Sequence, residues 1–246
     1  MSDTDVFIVS ALRSAIALGK ESGALYPLAP VDLASKVMAE TIRRAGIDPK
    51  RLDDVIWGVV TPIGDQGANL ARLATLNANF PVHVPAISIN RMCGSSQQAV
   101  HFASQAILAG DADLVLAGGT EMMSHQMLGA DYPDEFPKSI PHDLVHQGIS
   151  AEMMAEKWNL TREEQDDFAF RSHEKAASAM DAGYFGGQIL PLTIPESENG
   201  KRKSYLFHAD EGVRRRPNRQ KMGELAPAFK EDGTVTAGNA SQISDG

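Results

Sequence analysis

The chain has 246 residues, of which 43% are hydrophobic and 22% are charged, and its formal net charge is −9. This ordinary globular composition excludes a disordered, collagen-like or coiled-coil protein. The acidic balance argues against general nucleic-acid binding, and the longest apolar runs are far shorter than the roughly 20 residues that span a bilayer. At the N-terminus, Met1–Asp5 lacks the basic and apolar regions of a secretory signal, which predicts a cytoplasmic protein.

Strand and helix patterns alternate through the first 120 residues. Short apolar runs predict four buried strands, at 5–10, 54–61, 85–90 and 114–118. Amphipathic runs predict three helices between them, at 32–45, 69–77 and 95–109. This βαβαβαβ order is typical of a parallel sheet covered by helices, and hence of an α/β fold.

The pattern changes after Glu121. Residues 122–147 are rich in Met, Pro, Asp and His without a clear period, and long irregular segments of this kind tend to be functional. A short helix is predicted at 151–159. A capping box at Thr161–Glu164 begins a long helix that ends near Gly183. Two strands, at 188–194 and 204–208, and a basic loop follow. From Thr234 the residues become small and apolar again.

The single cysteine, Cys93, lies where the third predicted strand passes into the third predicted helix. One cysteine excludes an intrachain disulfide and leaves two interpretations of equal weight, an inert core residue or a reactive nucleophile. Gly94 permits a tight turn, and Ser95 to Gln98 fits a capping box that would begin the helix within two residues of the thiol. Free N–H groups and the helix dipole at that position favour a thiolate.

A basic cluster contrasts with the acidic background; its members are Arg214, Arg215, Arg216, Arg219 and Lys221. Such a run is most often a solvated face, and a site for an anionic ligand is the alternative. Glu121 follows an apolar strand, a position that would suit a catalytic carboxylate. No pair of histidines has the spacing of metal ligands on one helix face, which predicts no metal site.

Two segments carry a family resemblance, NRMCGSSQQAV around Cys93 and GDADLVLAGGTEMMS through the fourth predicted strand. They resemble the thiolase family, whose members read Cys-Gly-Ser at the same turn and Ala-Gly-Gly-x-Glu-x-Met-Ser after the next strand. Ala11–Ser14 and the final GTVTAGNASQISDG are similar to further segments of that family. The resemblance extends over essentially the whole chain. It implies the N-terminal half of a thiolase: a parallel-sheet core at 1–121, an inserted loop domain for CoA binding and oligomerisation at 122–233, and a return strand into the core at 234–246.

The resemblance also implies an activity, acyl-CoA C-acyl transfer. Cys93 would attack an acyl-CoA thioester, with its own backbone N–H as one oxyanion donor, and a second CoA thioester would accept the acyl group. The reverse reaction cleaves a 3-ketoacyl-CoA. CoA and acyl-CoA are then substrates, and no covalent cofactor, nucleic acid or membrane is implied. Family members are dimers or dimers of dimers, so the resemblance implies a homodimer or homotetramer.

Contacts with CoA are implied in the loop domain. The positions that match the family's contact residues are Arg214, Ser241, Ala237, Phe229, His146 and Lys221. Two departures weaken the match: Lys221 stands where the family often has Ser, and Gln147 stands where it usually has Met beside the histidine. A surface or capping histidine is the alternative interpretation of His146. The family gives Glu121 no role in proton transfer, so the resemblance implies a structural carboxylate.

Thiolases continue well beyond NASQISDG into a second half that repeats the fold. That half carries an Asn-Glu-Ala-Phe segment, a Gly-His-Pro histidine and a second cysteine, and none of these has a counterpart in the 246 residues. We therefore expect the chain to be inactive alone in the full cycle and to expose an apolar face. The alternatives are a non-catalytic CoA-binding fragment or a subunit that needs a partner chain. A ketoacyl-synthase-type enzyme is a third possibility, which the basic loop disfavours.

Overall fold

The computed structural model describes residues 5–198 and 201–246, so the acidic start at Met1–Thr4 lies outside the described residues. The α-helices among these residues are α1 (Pro30–Ala45), α2 (Leu70–Asn77), α3 (Ser95–Ala109), α4 (Gln147–Lys157), α5 (Arg162–Asp181) and α6 (Arg219–Gly223). The strands are β1 (Arg13–Ser14), β2 (Ala17–Leu18), β3 (Asp54–Gly58), β4 (Ala86–Ile89), β5 (Val115–Gly119), β6 (Ile189–Leu190), β7 (Leu192–Glu198), β8 (Lys201–Phe207) and β9 (Ser244–Asp245).

The chain divides into two compact units. The first contains Met1–Asp131, Gly187–Glu211 and Ile243–Gly246, and the second contains Tyr132–Gly186 and Gly212–Gln242. The antiparallel hairpin of β7 and β8 lies in the first unit, although it falls within the loop domain predicted at 122–233.

The first unit is built on a parallel sheet with the strand order β4-β3-β5. On one face, Val55 and Trp57 of β3 belong to a core that α1 and α2 complete. On the other face, Ile56 packs with Ala99 and Ala103 of α3. Burial on both faces explains why β3 reads as a continuous apolar run, and the predicted helix-covered parallel sheet is confirmed for these three strands.

The first predicted strand, at 5–10, is wrong. These residues take no part in any described strand, and Phe7, Ile8 and Val9 are 75%, 76% and 66% exposed. An apolar run becomes a strand only where a neighbour pairs its backbone N–H and C=O groups. No described strand pairs with this segment, so its composition alone misled the prediction.

One edge of β5 is open among the described residues. The bond from Thr120 N–H to Gly58 O places the even-numbered residues on the β3 side. The residues that face away from β3 are Val115, Ala117 and Gly119. Beyond them on the same edge, Glu121 and Gly246 exchange two N–H···O bonds of 2.9 and 3.0 Å. A cavity of about 1020 Å³ follows this edge, walled by residues 5–14 together with α1 and α3.

Within the return strand predicted at 234–246, the structure has a regular strand at Ser244–Asp245. This strand pairs antiparallel to β2, and Thr236 forms an isolated antiparallel bridge with Pro227. In the second unit the carboxylate of buried Glu152 accepts hydrogen bonds from the N–H groups of Thr234 and Val235, at 2.9 and 2.8 Å. A side chain of α4 therefore takes the donors that a neighbouring strand would have used.

Helix ends were predicted with mixed success. Gly46, at φ 67°, ends α1 as predicted, and the Thr161–Glu164 capping box is present at the start of α5. The short helix predicted at 151–159 begins earlier, at Gln147, because His146 caps it. Histidine is not among the usual N-cap residues, so no local sequence signal marks this start.

Candidate active site

Cys93 is exposed in the turn between β4 and α3, two residues before the first residue of that helix. Two backbone bonds close the turn, from Gly94 N–H to Arg91 O at 3.1 Å and from Ser95 N–H to Met92 O at 3.0 Å. Met92 has a φ of 48°, in the left-handed region that non-glycine residues rarely adopt. The thiol is thus presented by a strained turn at the positive end of a helix.

The local details differ from the predicted capping box. Gly94 is the N-cap and Ser95 is the first helical residue, so no side chain caps the start of α3. The Ser95 hydroxyl instead accepts a bond from Arg91 N–H at 2.9 Å and donates one to Met92 O at 2.6 Å. Gly94 has a φ of −90°, so Met92 provides the unusual backbone conformation. Because no side chain caps the helix, N–H groups near Cys93 remain available to an anion.

Two glycines bring α3 close to the sheet. Gly58 and Gly119 are paired in register at the ends of β3 and β5. A Cβ at Gly58 would lie 2.5 Å from Ser96 N, and one at Gly119 would overlap the Ser96 hydroxyl. This support for the Cys93 turn was not predicted from the sequence, although a glycine that ends an apolar strand is a recognisable sign of close backbone approach.

Among the described residues, no side chain hydrogen-bonds to the sulfur of Cys93. The nearby carboxylate of Glu121 is engaged elsewhere, because it accepts bonds from Val60 N–H at 2.7 Å and from the Gln66 side chain at 2.9 Å. These contacts agree with the structural role that the family resemblance implied for Glu121. Within the described chain, the backbone around Cys93 is its only evident source of activation.

The six predicted CoA contacts all lie in the second unit, whereas Cys93 lies in the first. His146 and Phe229 are brought together, with ring centroids 5.4 Å apart. The His146 Nδ1 accepts a bond from Gly148 N–H at 3.1 Å, as the capping alternative predicted, and the Phe229 ring lies against the Cα of that glycine. Ala237 and Ser241 are exposed.

The basic cluster separates into neutralised and free cations. Arg215 forms an ion pair with Asp181, and Arg219 pairs with Asp167 while its guanidinium lies 4.4 Å from the centre of the Phe170 ring. The exposed cations that have no partner among the described residues are Arg214, Arg216 and Lys221. In the part of the chain that the structure describes, the basic cluster thus presents three unpaired cations to solvent in an acidic protein.

Beside this cluster, the backbone N–H of Arg214 donates to His173 Nδ1 at 3.2 Å. Burial and, to a smaller extent, the Arg214 charge lower the pKa of His173. A neutral imidazole at this position can accept the Arg214 bond at neutral pH.

Residues 5–198 and 201–246 contain no group of three or more His, Cys, Asp or Glu side chains that could hold a metal ion. In the same part of the chain, no helix has the length and apolar character needed to cross a membrane.

Comparison with known proteins gives consistent matches. A family model described as the N-terminal domain of thiolase matches residues 6–246. The chain is 40% identical over 257 residues to a steroid 3-ketoacyl-CoA thiolase of Mycobacterium tuberculosis, covering 99% of this chain and 60% of that protein. It is also 40% identical to an acetyl-CoA acetyltransferase of Allochromatium vinosum, covering 98% of this chain and 64% of the relative.

A solved structure agrees with these sequence matches. The crystal structure of the Bacillus anthracis acetyl-CoA acetyltransferase superposes with a TM-score of 0.83 at 38% identity, covering 97% of this chain and 62% of that one. The chain therefore spans between 60% and 64% of the length of these relatives.

Proposed function

Because the chain belongs to the thiolase family, we propose that Cys93 takes an acyl group from an acyl-CoA thioester and forms a covalent acyl-enzyme. The observation that carries this proposal is the exposed thiol at an uncapped helix start. A buried sulfur in an apolar core would favour the inert interpretation, and Cys93 is not buried.

The proposed chemical step is an acyl transfer between two sulfurs. The Cys93 thiolate attacks the thioester carbonyl carbon, the carbonyl oxygen becomes an oxyanion, and collapse of this intermediate expels CoA as a thiolate that takes up a proton. Backbone N–H groups at the turn and at the start of α3 are suited to bind the oxyanion, because no side chain occupies them.

The second unit supplies the proposed contacts with CoA. The 3′-phosphate and diphosphate of CoA are anionic, and Arg214 and Lys221 are exposed cations without a partner among the described residues. Ser241, Ala237, Phe229 and His146 complete the proposed set on family grounds. Arg215 and Arg219 are poorer candidates because each already neutralises a carboxylate.

We propose that the 246 residues support acylation but not steady-state thiolysis. Condensation and thiolysis need an acid or base that moves protons at the substrate. The sequence has a single cysteine, and no described side chain bonds to it. A cytoplasmic location is a further proposal. We also propose association with a second copy or a complementary chain, since Phe7, Ile8 and Val9 lie exposed beside the open edge of β5.

Intact-mass spectrometry after incubation with acetyl-CoA tests the proposal. We expect one acetyl group on the wild-type chain, located on Cys93 by peptide mapping, and none on Cys93→Ala. Unfolded chain and free glutathione under the same conditions measure uncatalysed transfer. An acylation rate equal to that of glutathione would reject Cys93 as an activated nucleophile. CoA binding without acylation would instead support the alternative of a non-catalytic CoA-binding fragment.

A further inference from the structure

The segment that follows β5, residues 121–126, is bonded to three separate parts of the first unit. Met122 N–H donates to the side chain of Gln66 at 2.7 Å. Ser124 bonds to the buried carboxylate of Asp245 through both its N–H and its hydroxyl, at 2.9 and 2.5 Å. The side chain of His125 makes two further connections, and it has no part in the acyl transfer proposed above.

His125 lies between two oxygen atoms. Its Nδ1 is 2.6 Å from Asp65 Oδ2, and its Nε2 is 2.8 Å from the backbone oxygen of Tyr26. The imidazole also meets the Tyr26 ring edge-on, with centroids 5.2 Å apart. The second oxygen of Asp65 accepts a bond from the Gln126 side chain at 2.9 Å.

The hydrogen-bonding capacity of the groups at this contact determines the protonation state of His125. A carbonyl oxygen and an ionised carboxylate can only accept, whereas a neutral imidazole has one N–H and one lone pair. A neutral His125 would therefore leave one ring nitrogen lone pair facing an oxygen lone pair at 2.6 or 2.8 Å. Two N–H groups satisfy both oxygens at once. We propose that His125 is held as an imidazolium at neutral pH, and that this cation is a pH-sensitive clamp on residues 121–126.

The surrounding charges support the cation. Burial acts to lower the pKa of His125, but the bonds to Asp65 and to the Tyr26 carbonyl, with the charges of Asp65 and Asp245, outweigh it and raise the pKa. Burial likewise opposes ionisation of Asp65, yet its bonds to His125 and Gln126 lower its pKa. Burial raises the pKa of Asp245. The phenol of Tyr26 is the other titratable group at the ring.

The direction of the pH effect follows from linkage. A histidine whose pKa is raised in the closed segment stabilises that segment fully below its ordinary value, near 6.5. The stabilisation is lost as the pH rises through the raised value. Between those two limits the closed form holds one proton that the open form lacks, so the opening equilibrium constant rises up to about tenfold per pH unit.

The clamp acts on a wall of the cavity at which Cys93 lies. Met123 and Leu128, on either side of His125, line this cavity together with Met92 and Cys93. A neutral His125 would lose one of its two connections and loosen this wall. Access to the thiol therefore acquires a pH dependence that comes from His125 rather than from the sulfur.

Imidazole ¹H–¹⁵N NMR of the ¹⁵N-labelled chain tests the protonation state, with His125→Gln identifying the signal. We expect both ring nitrogens of His125 to be protonated at pH 7, and its pKa to lie above the ordinary histidine value of 6.5. Asp65→Asn should lower the pKa of His125. A single protonated nitrogen at pH 7, or a pKa at or below 6.5, would overturn the proposal.

Hydrogen exchange tests the clamp itself, because a merely structural histidine would not give it a pH dependence. After correction for intrinsic exchange, protection of amides 121–126 should fall up to about tenfold per pH unit above 6.5 in the wild type and in the control His142→Gln. Asp65→Asn and His125→Gln should flatten this dependence. The same pH dependence of amide protection in the wild type and all three variants would contradict the proposal.

Discussion

Cys93 in the first unit and the basic residues of the second unit differ in how closely their surroundings are packed. The turn at Cys93 is closely packed, because Ser95 is buried and two glycines of the sheet lie directly under the start of α3. Arg214 and Lys221 are exposed side chains without a partner among the described residues. Close packing amplifies small changes in volume, whereas exposed charges act one at a time. Substitutions that add volume under the Cys93 turn should therefore have abrupt effects, and substitutions of Arg214 or Lys221 should have graded effects.

The largest effect is expected for Gly119→Val. A Cβ here would overlap the Ser96 hydroxyl and lie 2.8 Å from Gly58 O, so α3 must move away from the sheet. We expect a loss of about 3 kcal/mol in the free energy of unfolding, at the upper end for an overpacked core. Acetylation of Cys93 should slow to the rate of the unfolded chain. Urea denaturation and intact-mass kinetics measure the two effects.

Gly187→Ala is the matched control for Gly119→Val. A Cβ at Gly187 would meet no atom within 4 Å, and the backbone there is not in the left-handed region. The control should change stability by less than about 0.5 kcal/mol. If Gly119→Val behaved like the control, the close contact between α3 and the sheet would not be what positions Cys93.

Glu152→Gln tests how much one buried carboxylate stabilises the second unit. The buried carboxylate accepts bonds from Thr234 N–H, Val235 N–H and the Thr234 hydroxyl, and an amide would turn an NH₂ group towards one of these donors. We expect a loss of about 2 kcal/mol in the free energy of unfolding at pH 7. Glu156→Gln, at an exposed position on the same helix, should cost less than about 0.5 kcal/mol.

The pH dependence of Glu152 has a definite sign. Burial acts to raise its pKa, but the bonds from Thr234 and Val235 outweigh burial and lower it. Its stabilisation is therefore complete above the ordinary value of 4.5 and is lost as the pH falls through the lowered value. The difference in stability between wild type and Glu152→Gln should shrink below pH 4.5. A constant difference from pH 7 down to pH 3 would contradict this account.

A graded effect is expected at the exposed cations. Arg214→Ala should weaken CoA binding about tenfold, which corresponds to about 1.4 kcal/mol for one charged contact. Arg215→Ala is the control, since Asp181 already neutralises Arg215. Isothermal titration calorimetry at constant ionic strength measures both affinities. Equal losses in the two variants would indicate a diffuse electrostatic effect instead of a specific contact.

The sequence predicted what local patterns determine. The helices α1 and α3 were found because their apolar faces are regular and each ends at a glycine, Gly46 or Gly110, in the left-handed region. The position of Cys93 between a strand and a helix followed from the same local signals.

Features that depend on distant partners were not predictable from local patterns. The segment 5–10 failed as a strand because pairing is decided elsewhere in the chain. The bonds of Glu152 to a segment 82 residues away gave no local signal. The contact between Gly119 and α3 likewise depends on how the sheet and the helix meet.

Apart from the control variants, Ser95→Ala is expected to have the smallest effect on stability, and it distinguishes the predicted capping box from the observed turn. Loss of the hydroxyl removes its bond to Met92 O and leaves Arg91 N–H without its acceptor. A cost of about 1 kcal/mol is expected, with a modest slowing of Cys93 acetylation. Gly94→Ala should be nearly neutral in stability, since its Cβ would meet only Arg91 O, at 3.4 Å, and its φ of −90° suits any residue. A larger loss for Gly94→Ala than for Ser95→Ala, by urea denaturation, would mean that the glycine and not the serine maintains the turn that presents the thiol.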